Sequence, residues 1–139
     1  MNNIRNDEQI SKPTILIVED HEGVRTLLRE WLTDTFPGCR FLEAKSGEEA
    51  VTLAQAQTPD IILMDIGLPR MDGIQATRCI KAAMSQVRVV MLTSYDDPVH
   101  KADAAAAKAS AYVLKSKMDT ELIIVLSTML SHSGRHIPR

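Results

Sequence analysis

The chain has only two cysteines, Cys39 and Cys79, far apart and without paired-ligand spacing. Neither a zinc site nor a disulfide framework is indicated, and both thiols are expected to behave as small buried hydrophobes. No apolar run approaches the ~20 residues that a membrane-spanning helix needs. Residues 1–12 are polar and have no apolar signal-peptide core, so a cytoplasmic chain with no membrane association is the default. Neither sign of charge prevails: the formal net charge is −2. This segment therefore has no electrostatic reason to seek nucleic acid or an anionic membrane. No short repeat or low-complexity block suggests a solenoid. The length of 139 residues suits one domain with a single sizeable core.

What is present alternates. Thr14–Val18 is a short apolar run rich in β-branched residues, as expected of a strand buried on both faces. Val24, Leu27, Leu28, Trp31 and Leu32 follow at helical spacing, and Trp31 is read as core on that stripe. Pro37-Gly38 ends this helix, and residues 39–44 make a weaker strand. Ser46 and Glu49 have the spacing of a capping box for a helix running to about Gln57. Ile61–Met64 is a third strand, and Asp72 caps a helix reaching about Ala83. Val87–Leu92 is a fourth strand. Asp97-Pro98 then opens a helix whose Ala-rich body extends through 102–109. Ala111–Leu114 is a fifth strand, and Ser116 to Asp119 can open the last helix.

Five strand–helix units imply an α/β fold: a doubly wound, five-stranded parallel sheet with helices on both faces. Right-handed crossovers favour the flavodoxin-like strand order 2-1-3-4-5. Residues 1–12 are expected as a tail and 13–131 as the domain.

Polar residues follow the apolar strands in a pattern. Glu19 and Asp20 follow the first, Asp65 the third, Thr93 and Ser94 the fourth, and Lys115 the fifth. In an open parallel sheet these positions share one edge, where ligands bind. Three carboxylates in one partly desolvated cleft repel one another. Lys115 offsets one charge, and a hard divalent cation such as Mg²⁺ would offset two more while keeping room for a phosphate oxygen. Singly, each residue has a bland explanation: a loop or capping aspartate, a solvated acidic pair, a loop hydroxyl, a surface lysine. Together, at strand ends, they point to a phosphoryl site built on Asp65. His21, His100, His132 and His136 have no metal spacing and receive no catalytic role.

At this point the chain resembles the receiver domain of two-component response regulators. The motifs are Ile17-Val18-Glu19-Asp20-His21, residues 63–73 with Asp65, Pro69 and Asp72-Gly73, Met91-Leu92-Thr93-Ser94-Tyr95, and Tyr112-Val113-Leu114-Lys115. The resemblance implies that Asp65 accepts a phosphoryl group from a sensor histidine kinase. It implies Mg²⁺ held by Asp20, Asp65, the carbonyl of Gly67 and, through water, Glu19. Lys115 would pair with the phosphoryl group, and Thr93 would move to hydrogen-bond it. Tyr112 would turn inward behind Thr93 and remodel the face of helix 4, strand 5 and helix 5. Such a chain is a signalling switch rather than an enzyme, with intrinsic Mg²⁺-dependent autophosphorylation and slow autodephosphorylation.

Residues 94–98 and 130–139 resemble the NarL/LuxR-type subfamily. The last residues, 132–139, would be a tail or the start of a linker to a helix-turn-helix domain. DNA would then be reached only through that attached domain, to regulate transcription. A homodimer formed on phosphorylation is a further expected partner. Two departures stand out: the family often has Gly where this chain has Lys108 and Ala111. Two other classes fit this sequence less well. A dehalogenase-type phosphatase needs a second Asp two residues past the nucleophile, where this chain has Gly67. A flavin module needs a hydroxyl- and glycine-rich loop where this chain has Glu19-Asp20, which would repel phosphate.

Overall fold

Strand β1 (Thr14–Val18) is buried at every position because it lies inside the sheet, between two neighbours. The computed structural model describes residues 12–131. After β1 come α1 (Glu22–Thr35), β2 (Arg40–Ala44), α2 (Gly47–Gln57), β3 (Ile61–Met64) and α3 (Gly73–Ala83). Then follow β4 (Arg88–Thr93), α4 (Pro98–Ala106), β5 (Ala111–Leu114), a 3₁₀ turn over Lys115–Lys117, and α5 (Met118–Ser131). The sheet is parallel with order β2-β1-β3-β4-β5, as expected. No helix among the described residues is long and apolar enough to cross a membrane. Residues 1–11 of the expected tail at 1–12, the segment 132–139, and His132 and His136 lie outside the described residues.

Alternation along the strands splits the core in two. Leu16, Val18, Ile62, Met64, Val89 and Met91 face one layer with Ala50, Ile74, Ile80 and Ala104. Ile15, Ile17, Ile61, Leu63, Val90 and Leu92 face the other, with Leu28, Leu32, Leu122 and Leu126. Successive strand residues point to opposite faces, so a sheet covered on both sides needs apolar residues at every position. Trp31 is partly buried against the second layer, as its stripe implied.

Several boundaries differ from expectation. Strand β4 starts one residue later and ends on Thr93, so that hydroxyl belongs to the strand rather than to the loop after it. Ser46 accepts from the Glu49 N–H, but Glu49 Oε1 accepts from Lys45 N rather than from Ser46. The reciprocal capping box is instead between Asp72 and Gln75. Lys115 opens a 3₁₀ turn, which delays the last helix to Met118. Both cysteines were expected to be buried; Cys39 is half-buried and Cys79 is exposed. On α3 the buried stripe runs through Gly73, Ala76, Thr77 and Ile80, which turns Cys79 outward.

Helix α4 stops at Ala106, short of the Ala-rich limit expected from propensity. Lys108 adopts φ 73°, the left-handed conformation that usually takes glycine, and Ala109 N donates back to Ala104 O at 3.0 Å. Ser110 N then donates to Val89 O at 2.7 Å, drawing the chain into the sheet. Tertiary pairing thus overrides alanine's helix preference. Lys108→Gly should stabilise the chain by about 0.5–1 kcal/mol by relieving this strain. A rise in the urea midpoint without a change in slope is the expected reading.

Candidate functional site

Parallel register determines which side chains meet. Val18 is level with Ala44 and with Met64, and Met64 with Met91. The residues after Val18 and Met64, Glu19 and Asp65, therefore leave the sheet side by side. Their backbones extend the ladder: Glu19 N donates to Ala44 O at 3.1 Å, and Asp65 N to Val18 O at 3.2 Å. Thr93 is level with Leu114, so Lys115 emerges one step beyond it.

Lys115 Nζ lies 2.8 Å from Glu19 Oε1 and 3.2 Å from Asp65 Oδ2. Glu19, Asp65 and Thr93 are buried, whereas Asp20 is exposed beside them. Carboxylate oxygens of Glu19, Asp20 and Asp65 all lie within 4.8 Å of one another. These three negative charges exceed the single ammonium of Lys115. Hard oxygen donors with one open, solvated side suit Mg²⁺, which binds through few carboxylates and keeps its waters. The donor set therefore fits the ion, with Glu19, Asp20 and Asp65 as the residues able to hold it.

Neighbouring groups hold these side chains in place. His21 N donates to Glu19 Oε2 at 3.0 Å, and Arg25 Nη1 to the Glu19 carbonyl at 2.9 Å. Gly67 N donates to Asp65 Oδ1 at 3.2 Å. Tyr95 N donates to Thr93 Oγ1 at 3.3 Å, and the Tyr112 hydroxyl donates to Tyr95 O at 2.8 Å. An open cleft beside the cluster is lined by Asp20, Gly67, Pro69, Asp72, Tyr95 and His100.

Titration follows from this geometry. Burial raises the Asp65 carboxyl above its ordinary value, and the Glu19 charge adds to this against the opposing pull of Lys115. Burial alone would lower the Lys115 ammonium, but the hydrogen bonds and charges of Glu19 and Asp65 outweigh it and raise the net value.

Of the sequence-derived candidates, Glu19, Asp20, Asp65, Gly67, Thr93 and Lys115 come to this edge of the sheet, whereas Tyr112 starts within β5, level with Met91, and is tied to the edge by its hydroxyl bond to Tyr95 O. Sequence reasoning missed three supports. His21 is the N-cap of α1, its Nδ1 accepting from Val24 N at 3.2 Å, a role outside the usual Ser, Thr, Asp and Asn preference. Arg25 carries no signal beyond lying one turn into α1. Gly73 stands in a quoted motif, but its reason is tertiary: a Cβ there would lie 2.0 Å from the Asp65 carbonyl oxygen.

A family model described as the response regulator receiver domain matches residues 15–127. The chain belongs to the response regulator receiver family. It is similar to an uncharacterized transcriptional regulatory protein, YhcZ, of Bacillus subtilis, with 36% identity over 122 residues, 88% of this chain and 56% of the relative. The response regulator UvrY of Escherichia coli is 32% identical over 118 residues, 84% of this chain and 54% of the relative. The chain thus spans about half the length of the curated relatives it matches. Among solved structures, a LuxR-family two-component response regulator from Aurantimonas superposes with a TM-score of 0.79 at 35% identity, covering 85% of this chain and 84% of that one. The Vibrio cholerae chemotaxis protein CheY4 does so at 0.76 and 26%, covering 85% of this receiver and 98% of that chain. This receiver is of the LuxR/NarL kind used in two-component signalling.

Two outcomes test the site as a structure. In the receiver, Gly73→Ala should lose at least about 1 kcal/mol of stability, because overpacking against the Asp65 backbone outweighs alanine's helix preference. Equilibrium urea denaturation checks it. For Asp65, a folded-state pKa above the unfolded one means a stability contribution present at low pH and lost as pH rises through the folded value. In chelator at neutral pH, Asp65→Asn should therefore be more stable than the parent receiver. That gap should close on acidification below the folded-state pKa of Asp65, as read from denaturation series at several pH values.

Proposed function

We propose that Asp65 accepts a phosphoryl group from a phosphohistidine of a sensor histidine kinase, and that the product switches an output surface. The observation that carries this reading is Lys115, its ammonium held between the buried carboxylates of Glu19 and Asp65 with Asp20 exposed at their side. An Asp65 oxygen forms a bond to phosphorus in line with the departing imidazole nitrogen. The P–N bond breaks, and its electron pair stays on the imidazole, which is protonated. Catalysis of such a transfer is mostly positioning and charge stabilisation. Lys115 supplies fixed positive charge to the transferring oxygens. Bound Mg²⁺ would supply two more positive charges against the carboxylates and the phosphoryl oxygens. Glu19 (through water), Asp20, Asp65 and the Gly67 carbonyl would hold it.

The new phosphoryl oxygens then favour a position of Thr93 in which its hydroxyl donates to them. Thr93 is fully buried at the end of β4, and Tyr112 bonds the carbonyl of Tyr95 two residues on, so movement of one is felt by the other. Both lie beside the face that α4, β5 and α5 would form; Val99 on α4 and Ile124 on α5 are exposed. A two-state element biased by local charge is the physical form of such a switch. Relatives named as transcriptional regulators, of which this chain spans about half the length, support an attached DNA-binding domain as the output. A homodimer formed on phosphorylation would complete the response, in the cytoplasm, where the kinase presents its phosphohistidine. Water slowly hydrolyses the acyl phosphate and resets the domain.

Incubation with a small phosphoryl donor and Mg²⁺, followed by intact mass, is the direct test. One added phosphoryl group is expected, its addition blocked by chelator and absent in Asp65→Asn. Undiminished labelling of Asp65→Asn would overturn the assignment.

A further inference from the structure

Tyr95 is 43% exposed, yet it is held from three sides. Its ring stacks on His100 with centroids 4.3 Å apart and planes 12° from parallel. Its carbonyl accepts from the Tyr112 hydroxyl. The ring also lies against Gly67: a Cβ built on Gly67 would be 3.5 Å from both the Tyr95 hydroxyl and a ring carbon. Gly67 in turn donates to Asp65 Oδ1. His100 is itself fixed at the start of α4. Its N–H donates to Asp97 Oδ2 at 3.0 Å, and its Nδ1 lies 2.7 Å from Asp97 Oδ1. Tyr95 and His100 thus form one wall of the cleft that Asp20 and Gly67 also line.

Neither ring is part of the core, so packing of the fold does not account for the stack. An exposed tyrosine freed of such contacts samples several rotamers. We propose that His100 is a positioning residue: by stacking on Tyr95 it holds that ring against Gly67 at the cleft mouth and prolongs the life of the phosphoryl group on Asp65. The inference rests on the phosphorylation proposed above. In hydrolysis, a water oxygen bonds to phosphorus as the P–O bond to Asp65 breaks. The carboxylate leaves with the electron pair, and the water gives up a proton to solvent. The water must approach phosphorus on the side opposite that carboxylate oxygen, through the cleft. A ring held there occupies part of its path; a ring free to swing away does not. Tyr112 bonds the same residue, so the clamp also links phosphoryl lifetime to the switch.

The test follows the loss of the phosphoryl group by intact mass after donor removal, at fixed pH and Mg²⁺. It compares the parent chain with Tyr95→Ala, His100→Ala, His100→Gln and His100→Phe. An aromatic stack of ordinary strength corresponds to about a five-fold change in rate. His100→Ala and His100→Gln should therefore lose the group about five-fold faster, since glutamine keeps a polar group but no ring. His100→Phe restores a ring without the Asp97 hydrogen bond and should return the lifetime towards the parent value. Adding His100→Ala to Tyr95→Ala should change nothing further. A lifetime unaltered in His100→Ala, or restored by glutamine as well as by phenylalanine, overturns the clamp. Normal labelling with unaltered lifetimes sinks the clamp alone, whereas a parent chain that takes no phosphoryl group on Asp65 sinks both readings.

Discussion

Lys115 reaches from the end of β5 to lie 2.8 Å from Glu19 and 3.2 Å from Asp65. Without that ammonium, two buried carboxylates would face each other across a site with little water, and ionising both would be costly. The pairing is long-range, joining residues 96 and 50 positions apart. It therefore depends on every strand between β1 and β5 being in register. Conversely, the negative charge that it leaves uncompensated suits the edge to a divalent cation.

The rest of the edge keeps these groups where Lys115 can reach them. Backbone bonds from Glu19 and Asp65 to the neighbouring strands fix where each side chain begins. The N–H groups of His21 and Gly67 hold one carboxylate oxygen each. Gly73 lets α3 start hard against the Asp65 carbonyl, where any side chain would collide. The site is thus held largely by main chain, which moves less than side chains. The hydroxyl-bearing side chains of Thr93, Tyr95 and Tyr112 are gathered on the β4 and β5 side. That division suits the switch proposed above.

Similarity to LuxR-family and other regulators agrees with this architecture, and the departures are local. Lys108 occupies a left-handed position that glycine would fill without strain. It lies after α4, well along the chain from Asp65, and leaves the carboxyl edge intact. The chain closes the turn anyway because Ala109 and Ser110 make backbone bonds to Ala104 and Val89.

Much was legible in the sequence. Largely apolar runs at 14–18, 61–64 and 87–92 suit burial on both faces, so a parallel sheet covered by helices follows from composition and order alone. Polar residues directly after those runs then necessarily share an edge, which is why Asp65, Glu19, Asp20, Thr93 and Lys115 could be grouped before any geometry. Tertiary structure decided what depends on distance between remote residues. It ended α4 against alanine's propensity, turned Cys79 outward on α3, and made His21 at once a cap and a hydrogen-bond partner of the Glu19 carboxylate. It alone showed that Tyr95 is stacked on His100 and bonded by Tyr112 beside Gly67. Local patterns encode periodicity and caps, whereas a contact between separate loops exists only once the sheet has set their spacing.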